Sequence, residues 1–468
     1  MKTVSKEQEQ KFLDNCKKLY SIVYHTKTTI WPLRKVFRLQ DYKRNFKKLL
    51  KQTIFFYKDR AKLPKNKLKI LICPDGGIGD IVLTRLFVNK LKQILPNSFI
   101  AVGFKNIYTL KMIFEGQNLA DLITKNCYEN DYDLIFKGMR LFALTVKNKK
   151  NIKKFAPDFL PQIQKAQERQ KYFSVFTNTP CSTEYPLICS VLGLGLNVRE
   201  ANLWLNGFDD FNLDFPPYIL DKSKEEKILN KFNLANKKYI TVHDGFDNNL
   251  SEIKTRNRKC WPKEHWEEFI KLFKQNYPDI LVVQLGAKHS TTFKNTDISL
   301  VNKTSLLDLP YILNNSILHL DGESGLTHLM TALQKVNLVM IGPSTEKYSL
   351  YEQNINILSR SCGQCMDIKN NWQTTCILSQ KPECMPSIAP QRVFKATKLF
   401  LDGVNVNKIL DMDLKENPFS KQYDINLKSL QKICEKNLPY AKIGYNFGPE
   451  KFTRPIIDFI SKPSKKFF

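Results

Sequence analysis

The run Leu68–Pro74, LKILICP, constrains this 468-residue chain more than any other. It is apolar but for Lys69 and ends in Pro74-Asp75-Gly76-Gly77-Ile78-Gly79-Asp80. A short continuous apolar run that stops at a turn reads as a strand buried on both faces. The next segment, IVLTRLFVNKLKQIL, has helical spacing and is halted by Pro96-Asn97, and SFIAVGF at 98–104 reads as a second strand. Strand, glycine loop, helix, strand is the start of a parallel α/β sheet.

The same alternation restarts in the second half. A strand and loop are expected at 237–245, and a helix over PKEHWEEFIKLFKQNY with Pro262 in its first turn. A buried strand is expected at 279–286, and a short helix at SLLDLPYILNN. SILHLDG reads as a strand, Gly325 opens a helix through LTHLMTALQKV, and NLVMIGP reads as a further strand. This predicts a second doubly wound domain, with ligands bound beyond the carboxyl ends of its strands. Residues 105–200 are less legible and are read as several helices, and Pro216-Pro217 within 207–226 marks the expected linker. The resulting division is a basic helical leader at 1–66, Rossmann-like domains at 67–215 and 216–405, and a helical tail at 406–468.

Charge narrows the partners. The chain carries 73 Lys and Arg against 45 Asp and Glu, a net +28. Residues 1–67 hold 19 of the former and 5 of the latter, half of the whole excess. Leu33, Val36, Phe37, Phe46, Leu49, Leu50, Ile54 and Tyr57 recur at helical spacing opposite a face of Arg and Lys. Such a helix suits an anionic membrane surface, or it packs its apolar face on its own domain. Nucleic acid is the other anionic partner, but neither a stacking-aromatic nor a zinc-finger pattern accompanies the charge, so none is expected. No 18-residue apolar run and no secretory signal are present, which leaves the cytoplasm as the expected compartment.

Four constellations can carry chemistry. Gly76, Gly77 and Gly79 allow close backbone approach to a ligand, and Asp80 is a carboxylate at a helix start, either a general base or a cap. Thr255-Arg256-Asn257-Arg258-Lys259 sets three cations and a hydroxyl before a helix, good chemistry for a pyrophosphate or a plain solvated basic loop. Asp321-Gly322-Glu323-Ser324-Gly325-Leu326-Thr327-His328 spans a strand end and a helix N-terminus, where backbone N–H groups can hold phosphate oxygens. Cys362, Cys365, Cys376 and Cys384 can bind Zn²⁺ or iron, or stand as reduced structural thiols.

In their order these pieces resemble the family 9 glycosyltransferases, the heptosyltransferase family. The resemblance rests on Gly79-Asp80-Ile81-Val82-Leu83, on Lys259-Cys260-Trp261-Pro262 with Trp266, and on Thr304 through Leu309. It rests also on Glu323 through Leu333, on Gly342-Pro343-Ser344, and on a cysteine segment ending Cys384-Met385. It covers about residues 68–400. It implies a GT-B fold, two Rossmann-like domains facing a cleft, and inverting transfer from an ADP-heptose-type donor with no cofactor required. It implies Asp80 as general base and Gly76, Gly77 and Gly79 as an acceptor-side loop. Thr255 and Lys259 would hold the departing diphosphate with Gly325, Leu326 and Thr327. Glu323 would bind sugar hydroxyls, and Ser324 and His328 complete the donor-side set. The implied acceptor is a lipopolysaccharide or related lipid-linked glycan at the inner membrane face. The alternative is a protein hydroxyl, as on autotransporter adhesins, and that branch carries iron on four cysteines. One departure is local: the usual Asp of Asp-Ser-Gly is Glu323, with Asp321 two residues earlier.

Overall fold

The computed structural model describes residues 62–125, 129–177, 194–211, 214–245, 258–368, 372–378 and 383–437, with residues 5–7, 10, 188 and 191. The expected leader helix at 33–60, Thr255, and the tail beyond 437 lie outside them. The chain divides into two compact units, one running to Asp214 and the other Phe215–Pro439.

The first unit is built on β1 (Lys69–Pro74), α1 (Ile78–Ile94), β2 (Phe99–Gly103), α2 (Ile107–Phe114), β3 (Leu122–Thr124), β4 (Leu134–Gly138) and β5 (Ala143–Val146). Helices α3 (Lys149–Phe155), α4 (Leu160–Thr177) and α5 (Val198–Leu205) follow. The sheet order is β3-β2-β1-β4-β5, parallel except for the antiparallel edge strand β5. Five of the six residues of β1 are buried, as a strand covered on both faces requires. Helix α1 turns Ile81, Val82, Leu86, Phe87, Val88 and Leu91 inward. The Phe87 ring meets Phe136 at 4.9 Å and Phe142 at 5.0 Å. Arg85 is wholly buried on the same helix, where its guanidinium donates to the Ile113 carbonyl at 2.6 Å. The region read as helices alone therefore also holds three strands. They are three to five residues long, too short for a period-2 pattern to stand out.

The second unit holds α6 (Lys222–Lys231), β6 (Tyr239–Val242), α7 (Lys263–Asn276), β7 (Leu281–Gln284), β8 (Ile298–Ser299), α8 (Leu309–Asn314) and β9 (His319–Gly322). It continues through α9 (Gly325–Ala332), β10 (Asn337–Ile341), α10 (Glu346–Ser349) and β11 (Ile355–Leu358). It ends on α11 (Pro390–Leu401), α12 (Val406–Glu416) and α13 (Lys421–Asn437). Its six strands run in the order β11-β10-β9-β6-β7-β8, every pair parallel. Two doubly wound α/β units in one chain are the architecture of a GT-B fold. Helix α9 stops at Ala332, short of the expected Val336, because Gln334 takes φ +59° and Asn337 already starts β10.

The Trp-Pro-x-x-x-Trp segment builds the core of this unit. Trp261 and Trp266 meet edge to face at 5.0 Å, and Trp266 stacks on Phe293 at 5.2 Å. The indole N–H of Trp261 donates to the Ile388 carbonyl at 2.8 Å, which ties the loop before α7 to the start of α11. Farther along, Arg392 and Arg360 both hold the Asp413 carboxylate, fixing α12 to the sheet edge. Among the described residues no helix is long and apolar enough to cross a membrane.

Candidate active-site residues

Doubly wound sheets bind ligands where the strand order reverses, because the loops there diverge to opposite faces and leave a crevice. In the first unit the reversal lies between β1 and β4; Asp80 stands in the first turn of the helix that follows β1, and Arg140 on the loop that follows β4. In the second it lies between β6 and β9, and His243, Asp321 and Glu323 stand at their carboxyl ends.

At the first point the glycines shape the turn. Gly76 has φ +106°, and a Cβ there would sit 2.3 Å from Asp80 Oδ2. Gly77 is the N-cap of α1 and Asp80 its third residue, closing a capping box in which the Gly77 N–H donates to Asp80 Oδ2 at 2.8 Å. Gly79 is buried in the first turn. The sequence left Asp80 as a base or a cap, and it does cap its helix. Its other oxygen, Oδ1, accepts from Arg140 Nε at 3.3 Å. A carboxylate has about four lone-pair positions, so these two bonds leave it able to accept a further hydroxyl proton. Arg140 carries no local signal, being 60 residues away with no motif around it.

At the second point most of the charges are buried. His243 Nδ1 lies 3.0 Å from both oxygens of Asp321, and His319 Nε2 lies 3.3 Å from Oδ2. His319 Nδ1 meets the Thr241 hydroxyl at 2.9 Å. The Ser324 hydroxyl donates to Asp321 and accepts from the Leu326 N–H at 3.1 Å, so Asp321 orients the N-cap of α9. Burial opposes charge on His243, but Asp321, with Asp244 beyond it, raises its pKa to about 9. Burial likewise opposes charge on Asp321, and His243 and His319 bring it down to about 2. The Asp321 carboxylate thus favours the charged form of His243, whose Nδ1 also lies 3.2 Å from the Gly245 N–H. Sequence reading passed over His243, whose only cue is its place just after an apolar strand.

Lys259 and Glu323 form the second element of this site. Lys259 Nζ lies 2.5 Å from Glu323 Oε2, which also accepts from the Ser344 hydroxyl at 2.9 Å. His328 Nε2 stands 3.8 Å from Glu323 Oε1, and its Nδ1 meets the Tyr351 hydroxyl at 2.9 Å. Burial would push the Glu323 carboxyl up, but the Lys259 ammonium and His328 hold it well below the usual carboxylate range. The Thr327 hydroxyl donates to the Gly322 carbonyl at 3.1 Å, and Gly325 opens the helix. Thus the structure brings Lys259, Glu323, Ser324, Gly325, Leu326, Thr327 and His328 together around one strand end and one helix start. A positive side chain near a helix N-terminus is chemistry that suits an anion.

The cysteine segment reaches the same loop. The backbone N–H of Arg258 donates to the Gln373 carbonyl at 2.7 Å, and its guanidinium to the Thr375 carbonyl at 2.8 Å and to Cys384 Sγ at 3.8 Å. Lys259 Nζ lies 5.8 Å from the centre of the Trp372 ring. Cys362, Cys365 and Cys384 are buried and Cys376 is partly so. Burial, with the neighbouring thiols, raises Cys362 to about 12 and pushes Cys365 and Cys384 up as well. Among the described residues no three His, Cys, Asp or Glu side chains are grouped to hold a metal ion.

Residues 208–375 match the family model described as Glycosyltransferase family 9 (heptosyltransferase). The chain is 22% identical over 368 residues to lipopolysaccharide heptosyltransferase 1 of Campylobacter coli, covering 71% of this chain and 98% of that protein. Among solved structures it is similar to the ADP-heptose lipopolysaccharide heptosyltransferase II of E. coli, with TM-score 0.44 and 14% identity over 72% of this chain and 99% of that one. It is also similar to the iron-containing dodecameric glycosyltransferase TibC of enterotoxigenic E. coli, with TM-score 0.41 and 12% identity over 75% and 77%.

Proposed function

We propose, from the premise that this chain is a glycosyltransferase carrying a family 9 (heptosyltransferase) domain, that it moves a heptose from an ADP-heptose-type donor onto a lipid-linked cell-surface glycan. The observation that carries the donor side is the placing of Lys259 and Glu323 beside the N-terminus of α9. A nucleoside diphosphate sugar offers what these groups want. Its phosphates match an ammonium and helix N–H groups, and its sugar hydroxyls match a carboxylate.

Transfer needs a base for the acceptor hydroxyl and a stabiliser for the leaving group. Asp80 is the base in this reading: its carboxylate takes the hydroxyl proton as the oxygen attacks the anomeric carbon from the face opposite the diphosphate, inverting that centre. Arg140 keeps Asp80 oriented through Oδ1. Negative charge grows on the diphosphate as the glycosidic bond breaks, and Lys259 with the start of α9 meets that charge. Thr255 belongs to the same set by its place before Lys259. The resemblance supplies the acceptor class, and the 19-to-5 basic excess of residues 1–67 suits an anionic inner-membrane surface. The reaction is accordingly assigned to the cytoplasmic face of that membrane.

Calorimetric titration with ADP-heptose and with ADP-, UDP- and GDP-hexoses tests the donor side, on the wild type and on Lys259→Ala. ADP-heptose should bind tightest, and Lys259→Ala should weaken it by at least about tenfold, the scale of one charge-assisted contact. Absence of binding by every nucleotide sugar would sink the reading.

A further inference from the structure

We infer that Glu323 competes with the donor's diphosphate for Lys259 whenever no sugar occupies its oxygens, so that the site favours an intact nucleotide sugar over the bare nucleoside diphosphate. The inference rests on the donor-site reading above. Three observations carry it. First, both oxygens of Glu323 are directed at protein groups: Oε2 at Lys259 and the Ser344 hydroxyl, Oε1 at His328. Second, the pair is held together from its backbones. A Cβ on Gly322 would come within 2.9 Å of the Lys259 carbonyl oxygen, so the main chain just before Glu323 runs close to that of Lys259. Third, the Trp372 ring, 5.8 Å from Nζ, gives the ammonium a second favourable surface if it leaves the carboxylate.

Electrostatics then couples the two halves of a donor. With the sugar absent, Lys259 and Glu323 neutralise one another, and an incoming diphosphate must displace or share with a carboxylate. With the sugar present, its hydroxyls donate to Glu323 and loosen that carboxylate's hold, so Lys259 is released to the phosphates. After transfer the sugar is gone, Glu323 returns to Lys259, and the diphosphate product loses its cation. The extra methylene of Glu323 over the Asp of the resembled motif is what lets it extend toward the lysine.

The test compares ADP with ADP-heptose by calorimetry on the wild type, Glu323→Gln and Glu323→Asp, with a thermal melt of each to establish folding. The Gln side chain keeps the shape and one acceptor but no charge, and the Asp side chain keeps the charge but draws it back. In Glu323→Gln, ADP should bind at least about fivefold tighter, the scale of one partly exposed ion pair. The ratio of the ADP to the ADP-heptose dissociation constant should fall by as much, and Glu323→Asp should move the same way by less. ADP should also become a stronger product inhibitor in turnover assays of both variants. If the wild type binds both ligands and neither variant lowers the ratio, Glu323 does not compete for Lys259 and only this inference falls. If the wild type binds neither ligand, the donor-site reading falls and takes this inference with it.

Discussion

At the end of β1, Asp80 accepts one backbone N–H and one guanidinium, and 18% of its side chain is exposed. At the end of β9, Asp321 is fully buried and is engaged by His243, His319 and Ser324. Both carboxylates stand at the switch point of a doubly wound sheet, yet their surroundings differ. A carboxylate that must take a proton from an incoming hydroxyl needs vacant lone pairs and some access. One that orients a helix N-terminus works best with every oxygen occupied and water excluded. The first unit leaves its charge open on a glycine turn, and the second locks its charge inside a network of histidines.

The contrast breaks most sharply on Asp80. Asp80→Asn can still accept the Gly77 N–H, so melting should shift little, while initial rates should fall by roughly 10²- to 10⁴-fold. A rate loss under tenfold would make Asp80 a cap only.

His243 gives the next largest effect. Its folded pKa is raised, from the ordinary 6.5 of a histidine to about 9. The stabilisation is therefore complete below about pH 6.5 and is lost as pH rises through about 9. Denaturant titrations at pH 6.5 and 9.5 should differ by roughly 2–3 kcal/mol in the wild type and much less in His243→Gln. Asp321 has the opposite sign: its pKa is lowered to about 2, so its stabilisation is present above about 3.8 and lost as pH falls through about 2. The two arms describe one pair and do not add. An equal alkaline loss in His243→Gln would remove the imidazolium from the account.

Lys259→Ala leaves the Glu323 carboxylate, 11% exposed, without its ammonium. A cost of about 1–3 kcal/mol in unfolding free energy is expected, partly restored in Lys259→Ala/Glu323→Gln. No recovery in the double variant would mean the pair is not the source of the loss.

The smallest effect sharpens the glycine side. Gly76→Ala must force a Cβ into Asp80 Oδ2 at a φ of +106°, costing about 1–2 kcal/mol. Gly77→Ala, with φ −90° and its nearest atom at 3.9 Å, should be close to neutral, within about 0.5 kcal/mol. Equal melting temperatures for the two would show that the turn is not shaped by Gly76.

Much of the fold was legible because its signals are local. The apolar run at 68–74 became β1 and KEHWEEFIKLFKQN became α7, each from the spacing of neighbouring residues. What stayed illegible was short or remote. Strands β3, β4 and β5 offer three to five residues each. The tryptophans of the Trp-Pro-x-x-x-Trp segment were legible as motif, but their packing against Phe293 and Ile388 was not.

The sequence by itself determined the two strand–glycine–helix units, the glycines that bend the first, and the residue types able to meet a phosphate and a sugar. It could not determine which of these touch. Asp80 meets Arg140 across 60 residues, Lys259 meets Glu323 across 64, and His243 meets Asp321 across 78. Each contact depends on which strands become neighbours at a switch point. In the second unit, β6 must lie beside β9 and not only beside β7. That choice is made by burying both faces of a parallel sheet under its helices, a property of the assembled layers that no short window of the chain contains.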